Sequence, residues 1–114
     1  MNIGLIGFGQ MGSGAAYNLN KKYKVLIYDK DKEKIKNAKS FSTVEEIFKK
    51  CQVSISFLPN DKILMDAHMN KTNGILNYLK KNDIHISCST VSPETSQKLE
   101  KIYSKKNAYF LSAP

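Results

Sequence analysis

Ile3-Gly4-Leu5-Ile6-Gly7-Phe8-Gly9-Gln10-Met11-Gly12 opens the chain with a short apolar run that breaks into three glycines. Ile3 to Ile6 reads as a buried strand, and the glycines after it as a tight turn. From Gln10 to Asn20 the pattern turns helical, with Met11, Ala15 and Leu19 at i, i+4 and i+8. A strand, a G-x-G-x-x-G turn and a helix in that order form a phosphate-binding unit, whereas the glycine string alone would be weak. Gly7 permits the turn, Gly9 leaves room for backbone to approach a pyrophosphate, and Gly12 lets the helix pack close to the sheet. The first turn of the helix supplies free N–H groups and a partial positive charge. A P-loop would need Lys-Ser or Lys-Thr after its last glycine; Ser13-Gly14 stands there instead.

Outward from this unit, Val25-Leu26-Ile27-Tyr28 is a second continuous apolar strand, and Asp29 follows it directly. A carboxylate at that place accepts hydrogen bonds from the adenosine ribose and repels a 2′-phosphate, so NAD is favoured over NADP. Lys30 and Lys32 stand close enough to blunt the preference. Asp31 to Ala38 is charged and weakly amphipathic, compatible with a short helix, and Phe41 lies in or near a marginal third strand. Thr43 and Glu46 have capping-box spacing, and Val44, Ile47, Phe48 and Cys51 share one helical face. Val53, Ile55 and Phe57 alternate with serines up to Leu58-Pro59, a strand stopped by proline. Asp61 to Lys81 is helical with a break at Asn73-Gly74. Ile84, Ile86 and Cys88 alternate as a strand, with His85 assigned to the opposite, polar face. Ser92-Pro93 is an N-cap and first helical position, Leu99, Ile102 and Tyr103 form that helix's core face, and Tyr109-Phe110-Leu111 begins a last strand. Strands alternating with helices predict an α/β fold: a Rossmann-type doubly wound parallel sheet in a single three-layer domain over residues 1–114.

Composition narrows the function classes. The chain has 114 residues, 41% of them hydrophobic, and a formal net charge of +8. That length supports one core, burying about two-thirds of the unfolded surface. All 18 basic residues are Lys, in clusters such as Lys21, Lys22 and Lys24, or Lys30, Lys32, Lys34, Lys36 and Lys39 interleaved with Asp29, Asp31 and Glu33. Nucleic-acid readers lean on Arg, which is absent, so a solvated surface is expected rather than a nucleic-acid interface. Cys51 and Cys88 have no second Cys or His at metal-ligand spacing, so reduced thiols and no metal are expected. No apolar run approaches a membrane span and no leader pattern precedes Ile3, so the expected setting is cytoplasmic, away from membranes.

The run Ile6 to Gly12 followed by Ala16-Tyr17-Asn18-Leu19 resembles the N-terminal signature of the β-hydroxyacid dehydrogenases. That family includes 3-hydroxyisobutyrate dehydrogenase and, more distantly, 6-phosphogluconate dehydrogenase. Asp29, Leu58-Pro59, Ser89-Thr90-Val91-Ser92-Pro93 and Phe110-Leu111-Ser112-Ala113-Pro114 continue the likeness in order. The resemblance implies an oxidoreductase that moves a hydride between NAD(P) and a small hydroxy or oxo acid. It assigns Gly7, Phe8, Gly9, Gln10, Met11 and Gly12 to the pyrophosphate loop and Asp29 to the ribose. Leu58 and Pro59 would line the cofactor groove, Thr90 would meet the nicotinamide half, and Ser89 would sit beside the substrate. The pattern departs at Ser87 and Ser112, where the family usually has Asp. The family's catalytic Lys lies on a long helix beyond the Ala-Pro, ahead of an all-helical domain. No Lys here takes that position, so the chain is read as a cofactor domain cut off before its chemistry and inactive by itself, with no catalytic residue assigned. The alternative is a non-catalytic dinucleotide-binding or interaction module. Apolar surface near Phe110 and Leu111 is expected to favour self-association.

Overall fold

The computed structural model describes residues 1–36, 38 and 41–114, so Lys39 lies outside the described residues. Five strands, β1 (Asn2–Ile6), β2 (Lys24–Tyr28), β3 (Val53–Ser56), β4 (Ile84–Ser87) and β5 (Tyr109–Ser112), form one sheet in the order β2-β1-β3-β4-β5. Every pairing is parallel. Four helices connect them: α1 (Gln10–Leu19), α2 (Val44–Lys50), α3 (Asp61–Met69) and α4 (Pro93–Lys105). Phe41 makes a single parallel bridge to Ile27 outside β2. With that bridge counted as a vestigial strand, the order becomes 3-2-1-4-5-6, that of dinucleotide-binding doubly wound folds.

Helices lie on both faces, as a three-layer α/β domain requires. On one side α1 packs Ala16 against Leu5, Val25 and Ile27. On the other, α2, α3 and α4 bury Val44, Ile47, Phe48, Leu64, Leu99 and Tyr103 with Ile6, Leu26 and Phe110. The α2 face is the one its spacing predicts, and Thr43 Oγ1 caps it by accepting from Glu46 N at 3.1 Å. Likewise Ser92 caps α4, with Pro93 in its first turn.

Several elements differ from the sequence reading. Residues 31–36 form turns rather than a helix. Here Asp31 Oδ1 accepts from Glu33 N, a local bond that competes with helix formation. α3 ends at Met69 rather than continuing, because the Asn70 side chain accepts from Thr72 N and Asn73 N, two amides that a longer helix would bond to its own carbonyls. A single 3-10 turn at Ile75–Asn77 follows. Of the α1 stripe, Ala15 and Leu19 pack half-buried on the core beside the buried Gly12 and Ala16, while Met11 is 71% exposed.

The largest correction concerns the alternating strands. Ser54, Ser56, His85 and Ser87 face the α2–α4 core and are buried, whereas Val53, Ile55, Ile84 and Ile86 are half-buried on the α1 side. The row Gly4–Ser54–His85–Phe110 runs across the sheet in register. Gly4 must be bare because Ile47 of α2 fills the space where its Cβ would stand, with Ser54 beside it. His85 and Phe110 continue the row with larger rings. His85 bridges Ser54 Oγ at 2.7 Å and Ser56 Oγ at 2.9 Å, so both ring nitrogens are satisfied. His68 donates Nδ1–H to Leu64 O at 2.9 Å and accepts the Tyr103 hydroxyl at Nε2 at 2.7 Å. Phe110 is buried in this ring cluster, stacked on His85, rather than exposed as expected; Leu111 and Tyr109 are the exposed pair, 52% and 57%.

Burial lowers the His68 pKa to about 4, and burial with His68 nearby pushes His85 well below the usual histidine value. Both rings therefore stay neutral in the folded protein and take up protons on unfolding. Stability is present in full above pH 6.5 and is lost as the pH falls toward 4. In urea titrations the unfolding free energy should drop by about 1 kcal/mol per pH unit for each histidine over that window. A midpoint that stays flat from pH 6.5 to 5 would contradict the neutral assignment.

Candidate functional site

The sheet order reverses at β1, because β2 lies on one side of it and β3 on the other. Open α/β sheets bind ligands outside the carboxyl ends of the strands at such a reversal. A cleft of about 790 Å3 lies there, running from the start of α1 across the strand ends to α3. It is lined at the end of each of the first four strands: Gly7 after β1, Asp29 after β2, Leu58 after β3 and Cys88 after β4.

Its shape begins with two close approaches. Gly7 has φ +96°, and a Cβ there would collide with the Phe57 carbonyl oxygen. A Cβ on Gly12 would collide with the Gly7 carbonyl oxygen. Bare carbons at both positions let α1 settle onto β1, so that its N-terminus opens into the cleft. Beside Gly9, by contrast, nothing lies within 4 Å of where a Cβ would stand. Helix α1 has no side-chain cap and no acidic residue in its first turn. The first helical bond of α1 runs from Ser13 N to Gly9 O, which leaves the amides of Gln10, Met11 and Gly12 ahead of it. Free amides, a positive helix end and an open space beside Gly9 are what a pyrophosphate fits.

Asp29 does more than the sequence indicates. Its Oδ2 accepts from Phe8 N at 2.7 Å and its Oδ1 from Asp31 N at 2.8 Å. Thus the carboxylate fastens the glycine loop to the end of β2, alongside the bond from Gly7 N to Tyr28 O at 2.9 Å. An ionised carboxylate offers about four lone-pair sites, so two remain for ribose hydroxyls. Burial, and then the nearby Asp29 charge, raise the Tyr28 pKa, so its phenol stays neutral at the cleft wall.

Of the residues singled out in the sequence, Gly7, Gly9, Gln10, Met11, Gly12, Asp29, Leu58 and Pro59 come together on the cleft. Phe8 does not line it: its amide goes to Asp29 and its ring packs on the α1-side core. Thr90 is exposed and off the cleft wall, while Ser89 is buried with its hydroxyl accepting from Leu58 N at 2.9 Å. Lys30 and Lys34, rather than Lys30 and Lys32, stand at the Asp29 end, and Lys30 reaches Asp66 at 3.9 Å. The far wall was not foreseen. Ile63, Ala67 and Asn70 line it at helical spacing, with Val44 and Ile75 below. The signal for it was Ile63, an apolar side chain 41% exposed in the first turn of a helix at the ligand end of the sheet.

Residues 2–114 match the family described as the NAD binding domain of 6-phosphogluconate dehydrogenase. The chain belongs to that family. As a member of it, the chain is a domain for a nicotinamide dinucleotide; its relatives include oxidoreductases and, at 29% identity over 98% of this chain and 25% of its own, the cytokine-like nuclear factor N-PAC of Danio rerio. An uncharacterised oxidoreductase of Bacillus subtilis, YfjR, is 33% identical over 120 residues, covering 100% of this chain and 42% of its own. The mitochondrial 3-hydroxyisobutyrate dehydrogenase of Mus musculus is 33% identical over 118 residues, covering 98% of this chain and 35% of the enzyme. In three dimensions the 3-hydroxyisobutyrate dehydrogenase of Mycobacterium tuberculosis superposes with a TM-score of 0.86 at 20% identity, over 99% of this chain and 40% of that one. The chain therefore spans about two-fifths of the length of these relatives. Among the described residues no group of His, Cys, Asp and Glu could hold a metal ion, and no helix is long and apolar enough to cross a membrane.

Gly12 and Gly9 of the glycine turn should behave differently. Gly12→Ala is expected to lower stability by about 2 kcal/mol or more, since backbone rather than a flexible side chain must move. Gly9→Ala should cost less than about 1 kcal/mol. Urea denaturation of the two variants checks this; equal losses would mean that the helix does not dock on Gly7 as described.

Proposed function

We propose that this domain holds NAD, in preference to NADP, and serves as the cofactor half of an oxidoreductase acting on a small hydroxy or oxo acid. The observation that carries the reading is the uncapped start of α1 opening onto the cleft, with the Asp29 carboxylate at the adjacent strand end. In this reading the amides of Gln10, Met11 and Gly12 neutralise the pyrophosphate, and Gly9 leaves it room. Asp29 accepts from the adenosine ribose while holding the loop through Phe8 N. Ile63, Ala67 and Val44 give the adenine an apolar wall that excludes water. The nicotinamide half then extends past Leu58 and Pro59 toward Ser89 and Thr90. NAD, when bound, supplies the hydride acceptor; the chain's own groups bind and orient it and shield one side from water. No catalytic acid or base is assigned within residues 1–114.

A cytoplasmic setting goes with this reading, since Cys51 and Cys88 are both free thiols and burial raises the pKa of each. The second reading, a non-catalytic dinucleotide-binding module, is favoured by one observation. Ser87 carries a buried hydroxyl with no hydrogen-bond partner among the described residues, at a place where the resemblance leads one to expect a carboxylate.

Isothermal titration with NADH and NADPH tests the main proposal. Measurable binding of NADH is expected, and absence of binding to either at millimolar ligand would overturn it. Asp29→Ala should weaken NADH by roughly ten- to a hundred-fold, as losing charged hydrogen bonds does, and NADPH by less. Equal losses would remove Asp29 from its ribose role. Self-association through the exposed Tyr109 and Leu111 side chains is a further part of the proposal. Leu111→Lys is expected to shift a concentration-dependent oligomer to monomer in sedimentation velocity.

A further inference from the structure

The loops after β3 and β4 form the rim of the cleft on the side away from the adenosine end, and they are tied to each other. One tie is the bond from Leu58 N to Ser89 Oγ. Another begins at Asp61, the first residue of α3. The cap of that helix is the residue before it, Asn60, whose Oδ1 accepts from Ile63 N at 2.9 Å. The Asp61 carboxylate is thus free to reach sideways to the next helix. Its Oδ1 accepts from Ser92 N at 3.0 Å and its Oδ2 from Thr95 Oγ1 at 3.0 Å. Thr95 Oγ1 in turn accepts from Ser92 Oγ at 3.1 Å, and Ser92 Oγ accepts from Thr95 N at 3.3 Å. Every donor in this chain points toward Asp61, so the carboxylate serves as a pure acceptor. Hydrogen bonds from Ser92 and then Thr95 hold its carboxyl below the usual carboxylate range.

The consequence falls on the residues between the ties. Ser89 is fastened at one end and Ser92 at the other, which leaves Thr90 on a short arch whose two feet rest on the β3–α3 segment. The Ser89 foot rests on Leu58, whose side chain lies beside Gly7, while the Ser92 foot runs through Asp61. We infer that Asp61 is a positioning residue for the nicotinamide half of the bound dinucleotide, acting through Ser92 and Thr95 to set where the Ser89–Val91 arch stands. The inference rests on the cleft being a dinucleotide site. It adds that the two halves of the ligand are held by separately anchored loops, one fastened by Asp29 and the other by Asp61.

Paired titrations of the 114-residue chain separate the two halves. ADP-ribose carries the adenosine and pyrophosphate groups without the nicotinamide, and NADH carries all three. Asp61→Ala should weaken NADH by roughly three- to ten-fold, the size of a lost hydrogen bond or two. ADP-ribose should stay within about two-fold of wild type, a split that a general loss of folding would not produce. Asp61→Asn keeps one acceptor oxygen and should recover part of the NADH loss. Should Asp61→Ala fail to fold, Thr95→Val removes a single donor at constant shape and should give a smaller loss, again confined to NADH. Equal losses for both ligands, or none for NADH, would overturn the inference and leave the dinucleotide site standing. Failure of the wild type to bind ADP-ribose and NADH alike would instead overturn the site itself, and the inference with it.

Discussion

The carbonyl oxygen of Gly7 occupies the place that a side chain on Gly12 would need. Much of the site follows from that contact. It brings the first turn of α1 against the end of β1, so the helix dipole and its unpaired amides point into the reversal of the sheet rather than into solvent. The same peptide corner is held from the other side, where Gly7 itself lies against the Phe57 carbonyl. A loop built from glycine is entropically costly to order. Here it is ordered by backbone contacts on both flanks and by the bond from Phe8 N to Asp29 Oδ2. The acidic residue is therefore a structural part of the phosphate loop as well as a candidate ribose acceptor. A loop fixed before the ligand arrives loses less entropy on binding, which is how a small number of amides can hold a charged group firmly.

Much of this was legible in the sequence because it is local. The strand, the glycine turn, the α1 helix, Asp29 and the α2 face all follow from spacing within a few residues, and the family resemblance covers the same span. What was not legible depends on partners far along the chain. Alternation in Val53-Ser54-Ile55-Ser56 names two faces but not which one is core. In a sheet covered on both sides, the answer depended on register with Gly4, over which Ile47 needs room. His85 went the same way, since its burial depends on two serine hydroxyls one strand over. The end of α3 was lost to Asn70, whose side chain takes two amides that a longer helix would have used. Phe8 and Thr90 show the limit of motif matching: a position within a motif need not face the cleft.

The two faces of the sheet are covered unequally, and the inequality tracks the site. Three helices press on the face that carries the serines and the ring cluster, while α1 covers mainly β1 and β2 on the other. Residues exposed on that second face increase toward the edge, from half-buried Val53 and Ile84 to exposed Tyr109 and Leu111. Hydrogen bonds to Asp61 and Ser89, together with the packing of Val91 on the three-helix core, locate the Ser89–Val91 arch.

The excess of lysine has a place in the same physics. A net charge of +8 does not build a site, because the cleft itself is lined by Asp29, Asp31 and Asp66 as well as Lys30 and Lys34. At long range, however, the summed field attracts anions, and a dinucleotide carries its negative charge on the pyrophosphate. At moderate salt that field is screened beyond about 10 Å, and inside that distance the oriented amides of α1 take over. The Asp29 oxygens are turned toward the backbone of the loop, so their negative charge is held at one point. Lys30 and Lys34 are exposed ammonium groups on long stems at the same end of the cleft.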